Sequence, residues 1–190
     1  MRVKGIARYA HLVKEYIGKN PDTGHEYPAI YGVNVLIHKS DPQCAKIIKG
    51  CKEALMNDKI LNKYTLEDVT CCFVDMALDS KSPDSLNDYM CLKAKVKVGS
   101  KSGRPPAVDH KFDPIIDPGF QVDGQIINIE CNFKGWYIDE DKKYITCYLN
   151  GTLVTKEKGN LPLESLSAKP SIEQMFAGID VNNEEETPDF

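Results

Sequence analysis

The sequence lacks long apolar runs. No stretch of its 190 residues approaches the about 18 consecutive apolar residues that a membrane-spanning helix needs. The amino-terminal stretch MRVKGIARYAHLVKEY also lacks the continuous apolar segment of a secretory signal. The seven cysteines include no C-x-x-C pair and no spacing typical of a small disulfide scaffold. We therefore expect a cytoplasmic protein without a membrane partner, in which the cysteines are reduced core thiols.

Patterns typical of catalysis or metal binding are missing as well. The histidines at positions 11, 25, 38 and 110 have no H-E-x-x-H spacing, and no cysteine lies near one in a zinc pattern. GSKSG at 99–103 lacks the spacing of a Walker A loop, and DEDKK at 139–143 lacks the glycine of a calcium loop, so it is interpreted as a hairpin turn. We expect no enzyme activity, no metal site and no cofactor.

Basic residues are absent after Lys169. The first 170 residues contain 24 basic and 22 acidic side chains, a net charge of +2, whereas the last 20 residues carry −6. A solubilising tail would explain the charge alone, but a terminal aromatic ring gains nothing from exposure to water. We interpret the end of the tail as a partner-binding motif, comprising Glu184, Glu185, Glu186, Asp189 and Phe190.

What the sequence does contain is a series of short segments in which apolar and polar residues alternate. CLKAKVKV at 91–98 alternates small or branched apolar residues with lysines, and IYGVNVLI at 30–37 is rich in β-branched residues. Further strands are predicted at 2–9, at 125–133 and at 144–149, and Asn150-Gly151 predicts a hairpin turn into a last strand. Five or six short strands indicate a mainly β fold, a small closed or partly open barrel.

One helical insertion interrupts these strands, at about 41–78. Ser40-Asp41-Pro42 provides a helix start, and apolar residues recur at helical spacing from 44 to 55. Thr65 and Asp68 resemble a capping box, which predicts a second helix that carries the apolar residues Val69, Cys72, Phe73 and Met76. A third short helix is expected in SIEQMFAGI, just before the acidic tail.

Basic side chains recur on the polar side of two predicted strands. Edge strands often carry lysines simply to prevent aggregation. Two basic strands in one small barrel could instead form a continuous stripe that follows a phosphate backbone. The residues concerned are Arg2, Lys4 and Arg8 on the first strand, and Lys93, Lys95 and Lys97 with the following Lys101 and Arg104.

Aromatic side chains are the second ingredient of the predicted surface. Period two from residue 127 onwards places Lys134 and Trp136 on the outside of the barrel, and Tyr144 and Tyr148 likewise on the next strand. A bulge at Gly135 would turn Trp136 inward instead. A basic groove with exposed rings is what single-stranded nucleic acid requires, because phosphates need cations and unpaired bases stack on aromatic side chains.

The order of these elements resembles the single-stranded DNA-binding proteins of tailed bacteriophages. The resemblance rests on RVKGIARYAHL, YGVNVLIHKSD, SKSGRPPAVD, the GFQVDGQIINIECNFKGWY to CYLNG segment, and the terminal acidic DF. It implies an OB-fold DNA-binding domain over 1–170 and a short helix with a disordered acidic tail over 171–190. It also implies that the protein coats single-stranded DNA in replication, recombination or repair in the cytoplasm of the infected host.

The same resemblance implies that the tail recruits the phage DNA polymerase and helicase-primase. It also implies that the protein can form a homodimer. Two alternatives stay open. One is a structural or adaptor β-domain of a virion or assembly, which would use the aromatic surface to bind protein. The other is a small nuclease or recombination enzyme, against which the lack of a convergent set of carboxylates or histidines counts.

Overall fold

The computed structural model describes residues 1–19, 23–79, 82–101 and 103–161. Within these ranges the chain is mainly β, with eight strands and one α-helix. In chain order they are β1 (Arg2–Tyr16), β2 (Ile30–His38), α1 (Gln43–Met56), β3 (Thr70–Cys71), β4 (Phe73–Asp75), β5 (Tyr89–Lys97), β6 (Ala107–Val108), β7 (Gln125–Asp139) and β8 (Lys142–Lys158). The predicted short helix and acidic tail lie outside the described residues.

Five strands form a closed ring in the order β8, β7, β1, β2, β5. Four of the five contacts are antiparallel, and the ring closes through a parallel pairing of β5 with β8, in which Ala94 lies opposite Cys147 and Lys95 opposite Tyr148. β7 and β8 form one long hairpin that turns at Glu140-Asp141, as the charged sequence there predicted. The expected OB-like barrel with a helical insertion is confirmed.

The core fills the inside of this ring. Alternate residues of each strand point inward, and full burial of each large apolar side chain stabilises the fold by about 1.5–3 kcal/mol. α1 presents its buried face to the same core through Cys44, Ile47, Cys51 and Leu55. In the part of the chain that the structure describes, no helix is both long enough and apolar enough to cross a membrane.

The second predicted helix is wrong. The Thr65–Asp68 capping box exists, but it starts only a single 3-10 turn, Leu66–Asp68. The chain then forms the short strands β3 and β4, because the backbone of Cys72 is hydrogen-bonded to both neighbouring strands: its N–H donates to the Ile145 carbonyl (3.0 Å) and its carbonyl accepts from the Lys93 N–H (2.9 Å). Pairing with the barrel overrides the local helix signal.

The hairpin turn predicted at Asn150-Gly151 is also wrong. Both residues lie inside β8, where Glu130 pairs with Gly151 but Cys131 pairs with Leu149, so that Asn150 is the extra residue of a bulge. A turn at this point would separate the second half of β8 from β7, but the two strands remain paired beyond Gly151. A bulge of this kind bends its strand locally and increases the twist of the pair.

Candidate nucleic-acid interface

The outer surface of β5, β8 and β7 brings together most of the predicted binding residues. The lysines of β5 point outward, as predicted, and Lys95 lies directly beside Tyr148, which in turn lies opposite Asn132 on β7. The remaining outward residues extend this arrangement along both strands. We call this surface the β5–β8–β7 face; it comprises Lys93, Lys95, Lys97, Asn132, Lys134, Trp136, Tyr144, Thr146 and Tyr148.

The aromatic end of the face is formed by a cross-strand pair. Trp136 lies opposite Tyr144, and the Trp136 side chain is 42% exposed, so its predicted outward placement is confirmed. Tyr144 and Tyr148 are half-buried, which leaves part of each ring accessible. The Lys134 ammonium lies 4.4 Å from the centroid of the Trp136 ring. Positive charge and an exposed ring are therefore in contact.

The orientation of Trp136 follows from its neighbour Gly135. The pairing of β7 with β8 is unbroken from Cys131 to Tyr137, so Gly135 does not form the bulge that would have reversed the alternation. Gly135 faces the inserted segment at close range: a Cβ atom there would lie 2.7 Å from Cδ1 of Leu61. Because this inward position has no room for a side chain, the glycine allows close packing and the alternation places Trp136 outside.

The tip of the β7–β8 hairpin is anchored to the inserted segment through Glu140. Its carboxylate accepts hydrogen bonds from the hydroxyls of Tyr64 (2.8 Å) and Tyr137 (3.1 Å) and from Nζ of Lys143 (3.2 Å). The hydrogen bond from Tyr64, followed by that from Lys143, holds the pKa of Glu140 below its ordinary value. This contact positions the strand that carries Trp136. No local sequence pattern predicts this contact, because Tyr64 and Glu140 are 76 residues apart.

Arg8 is not part of an exposed surface. Its side chain is only 6% exposed, so the prediction that it faces solvent with Arg2 and Lys4 is wrong. The guanidinium carbon lies 4.6 Å from the ring centroid of Tyr9, a residue with a positive φ of 53°. The pairing of β1 with β2 is regular through Arg8, which lies opposite Asn34, and becomes irregular only beyond it. Alternation therefore holds at Arg8, and the prediction of exposure is wrong because this side of β1 is covered at that position.

The prediction of a continuous basic stripe is also wrong for a second reason. A row of apolar residues separates the basic residues of β1 from those of β5. Ile6, Leu36 and Cys91 lie side by side on β1, β2 and β5. Leu36 and Cys91 are buried in a second apolar cluster with Met76 and Leu86, and Ile6 packs against it. This covered row lies between the start of β1 and the basic part of β5.

Arg2 and Lys4 therefore belong to another region of the surface. Lys4 forms an ion pair with Glu157 (3.5 Å), and Arg2 lies opposite Glu130 on β7. Arg2 and Glu130 both line a groove beside the loop that carries the exposed Phe112. Acidic side chains reduce the positive charge here, which makes this region less suitable for phosphate than the β5–β8–β7 face.

The lysines of β5 are available for an external ligand. Within the described ranges, none of them forms an ion pair, and the same holds for Lys134 and for the exposed Lys101 and Arg104 in the loop after β5. Bringing an anionic ligand to these side chains therefore breaks no salt bridge among the residues that the structure describes. Asn132 and Thr146 lie between the charged and aromatic residues. Period two predicts that both face outward, but they were not among the predicted binding residues, because polar residues on a strand carry no distinctive binding signal.

Comparison with known proteins identifies the fold. Neither a protein-family model nor a curated protein matches the sequence. Among solved structures, the chain is similar to the single-stranded DNA-binding protein from bacteriophage Enc34 in complex with ssDNA, at 19% identity and a TM-score of 0.62, covering 85% of this chain and 89% of that one.

A second similar structure is gp2.5, a single-stranded DNA-binding protein encoded by bacteriophage T7, at 14% identity and a TM-score of 0.55, covering 85% of this chain and 88% of that one. The barrel thus has the fold of the bacteriophage single-stranded DNA-binding proteins that the sequence resembles.

Proposed function

We propose that the protein binds single-stranded DNA without sequence preference through the β5–β8–β7 face. The observation that carries the proposal is the adjacency of Lys95 and Tyr148, which joins a row of exposed lysines to a row of partly exposed rings. Phosphates are neutralised by the lysines, and unpaired bases stack on aromatic side chains with little regard to base identity, each contributing about 1–3 kcal/mol. Two solved structures of the same fold are described as single-stranded DNA-binding proteins.

The arrangement of the face suggests how a strand would lie on it. Lysines two positions apart on a β-strand are about 6.6–6.8 Å apart, and their flexible side chains can follow a bending backbone. The phosphates would run along β5, with the loop residues Lys101 and Arg104 extending the track. The bases would turn toward β8 and β7, where Tyr148, Tyr144 and Trp136 offer rings. Duplex DNA keeps its bases stacked internally and could not use these rings.

We further propose that the protein coats and protects single strands during phage DNA replication, recombination or repair, in the cytoplasm of the infected host. In this role it needs no cofactor and catalyses no reaction. The tail residues Glu184, Glu185, Glu186, Asp189 and Phe190 would recruit the DNA polymerase and helicase-primase, and the protein is compatible with a homodimer. The likeness of fold and the acidic, aromatic end of the sequence support this role.

Fluorescence of Trp136 tests the binding proposal directly, because it is the only tryptophan in the chain. Mixed-sequence single-stranded DNA should quench it with an affinity that weakens as salt is added, whereas duplex of the same length should not. If neither quenching nor a gel shift is seen at low salt, the DNA-binding proposal is wrong and the adaptor alternative, in which the same face contacts a protein, takes its place.

The acidic tail provides a second test. Since the tail is opposite in charge to the lysines of β5, we propose that it competes with DNA for the β5–β8–β7 face. Deleting residues 182–190 should therefore tighten binding at low salt, and the effect should disappear at high salt because surface charges are screened. A full-length control in which Glu184, Glu185 and Glu186 are changed to Gln should tighten binding in the same direction. Unchanged affinity in both variants would contradict competition.

A further inference from the structure

Three cysteines that the proposed function does not use meet at one point inside the molecule. The sulfur atoms of Cys51, Cys71 and Cys72 all lie within 4.8 Å of one another. Cys51 and Cys72 are buried, Cys71 is half-buried, and all three are free thiols. We call them the thiol cluster. No sequence pattern predicts this cluster, because Cys51 is 20 residues from Cys71 and the three cysteines have no recognised spacing.

The fold holds these cysteines in place from independent elements. Cys51 lies on the buried face of α1, whereas Cys71 lies on β3, where it pairs with Ile145 of β8. Cys72 follows directly, and its backbone is hydrogen-bonded to β8 on one side and to β5 on the other. The two adjacent cysteines are therefore fixed between two barrel strands, and α1 brings the third sulfur to them. The cluster is assembled by folding.

We propose that Cys51, Cys71 and Cys72 bind a zinc ion through three thiolates. Zinc prefers sulfur ligands at about 2.3 Å in a tetrahedral arrangement, which places neighbouring sulfur atoms about 3.8 Å apart. Sulfur atoms already within 4.8 Å of one another need to approach by no more than about 1 Å to reach this geometry, which side-chain rotation can supply. Cys71 is half-buried, so an ion would reach the cluster from its side, and a water molecule would complete the tetrahedron as the fourth ligand.

A bound ion would add a further link between the insertion and the barrel, beside the hydrogen bonds of Gln43 with the Lys4 backbone and of Tyr64 with Glu140. α1 contributes one ligand and the β3 region contributes two, so the ion would fasten the helical insertion to the wall of the barrel. Metal binding to a site that exists only in the folded state adds its binding free energy to folding. The expected consequence is a rise in thermal stability with zinc, independent of any DNA.

Cobalt titration of the full-length protein tests the proposal. Protein freed of metal with a chelator under a reducing agent should take up one equivalent of Co²⁺, with a sulfur-to-cobalt charge-transfer band in the near ultraviolet and the strong visible bands of tetrahedral cobalt. Zn²⁺ should abolish these bands and raise the melting temperature. Absence of the charge-transfer band, with no melting-temperature shift on adding Zn²⁺, would overturn the proposal and leave the thiols as core packing.

Two serine variants locate the site. Cys71→Ser should lose the charge-transfer band and most of the bound metal, because it removes the most accessible ligand. Cys91→Ser is the matched control, since Cys91 is a buried cysteine in the separate apolar cluster and should bind cobalt like the unmodified protein. Equal loss in both variants, or retention in Cys71→Ser, would contradict the assignment. Should Cys71→Ser fail to fold, the unmodified protein and Cys91→Ser still decide the question.

Discussion

Replacing the lysines of β5 tests the position of the phosphate track. The variant is Lys93→Ala, Lys95→Ala and Lys97→Ala together, and each side chain is exposed and without an ion pair within the described residues. For single strands, each lost phosphate contact lowers the slope of log affinity against log salt by about 0.7, so three contacts correspond to about 2.1. When salt rises from about 50 to about 200 mM, the affinity of the unmodified protein should therefore fall by about 18-fold more than the affinity of the triple variant.

The assay is a salt series of fluorescence or gel-shift titrations with mixed-sequence single-stranded DNA. The matched control is the triple variant Lys46→Ala, Lys49→Ala and Lys52→Ala on α1, which removes the same charge from exposed positions away from the β5–β8–β7 face. It should keep the slope of the unmodified protein. If both triple variants flatten the slope equally, only overall charge matters, and the assignment of the phosphate track to β5 is refuted.

Three other perturbations test the site and the fold. Trp136→Ala should weaken binding to single strands by about 1–3 kcal/mol, measured by gel shift, and an equal loss in Phe112→Ala, which lies in the groove with Arg2, would contradict a role specific to the β5–β8–β7 face. Gly135→Val should destabilise the fold by about 1–3 kcal/mol through overpacking, and an unchanged urea midpoint would show that the helical insertion yields freely. Lys39, whose ammonium lies 2.7 Å from the Asp75 carboxylate, lowers the pKa of Asp75. The ion pair therefore stabilises the folded state above the unfolded pKa, and this contribution is lost as the pH falls through the folded pKa. The difference in melting temperature between the unmodified protein and Asp75→Asn should accordingly shrink on acidification, and a constant difference would contradict it.

Local sequence patterns gave correct predictions where a strand is covered on one side only. The outward lysines of β5 and the outward Trp136 followed from period two alone, because alternate residues of a strand must face opposite sides. The same reasoning was wrong about the exposure of Arg8, because the polar side of β1 is covered at that position. The turn signal at Asn150-Gly151 and the capping box at Thr65 also led to wrong predictions, because pairing with distant strands decided both segments.

The sequence by itself determined the class of fold, the alternating faces of the strands and the kinds of side chain that the surface offers. These properties depend on neighbours a few residues apart, and period and composition record them directly. Only the tertiary structure decided which faces adjoin. Closure of the ring by β5 and β8 placed Lys95 beside Tyr148, the covered row at Leu36 separated β5 from Arg2 and Lys4, and the packing of α1 on the barrel brought three cysteines together. Contacts between residues far apart in the chain depend on the register of the whole barrel, which no local pattern contains.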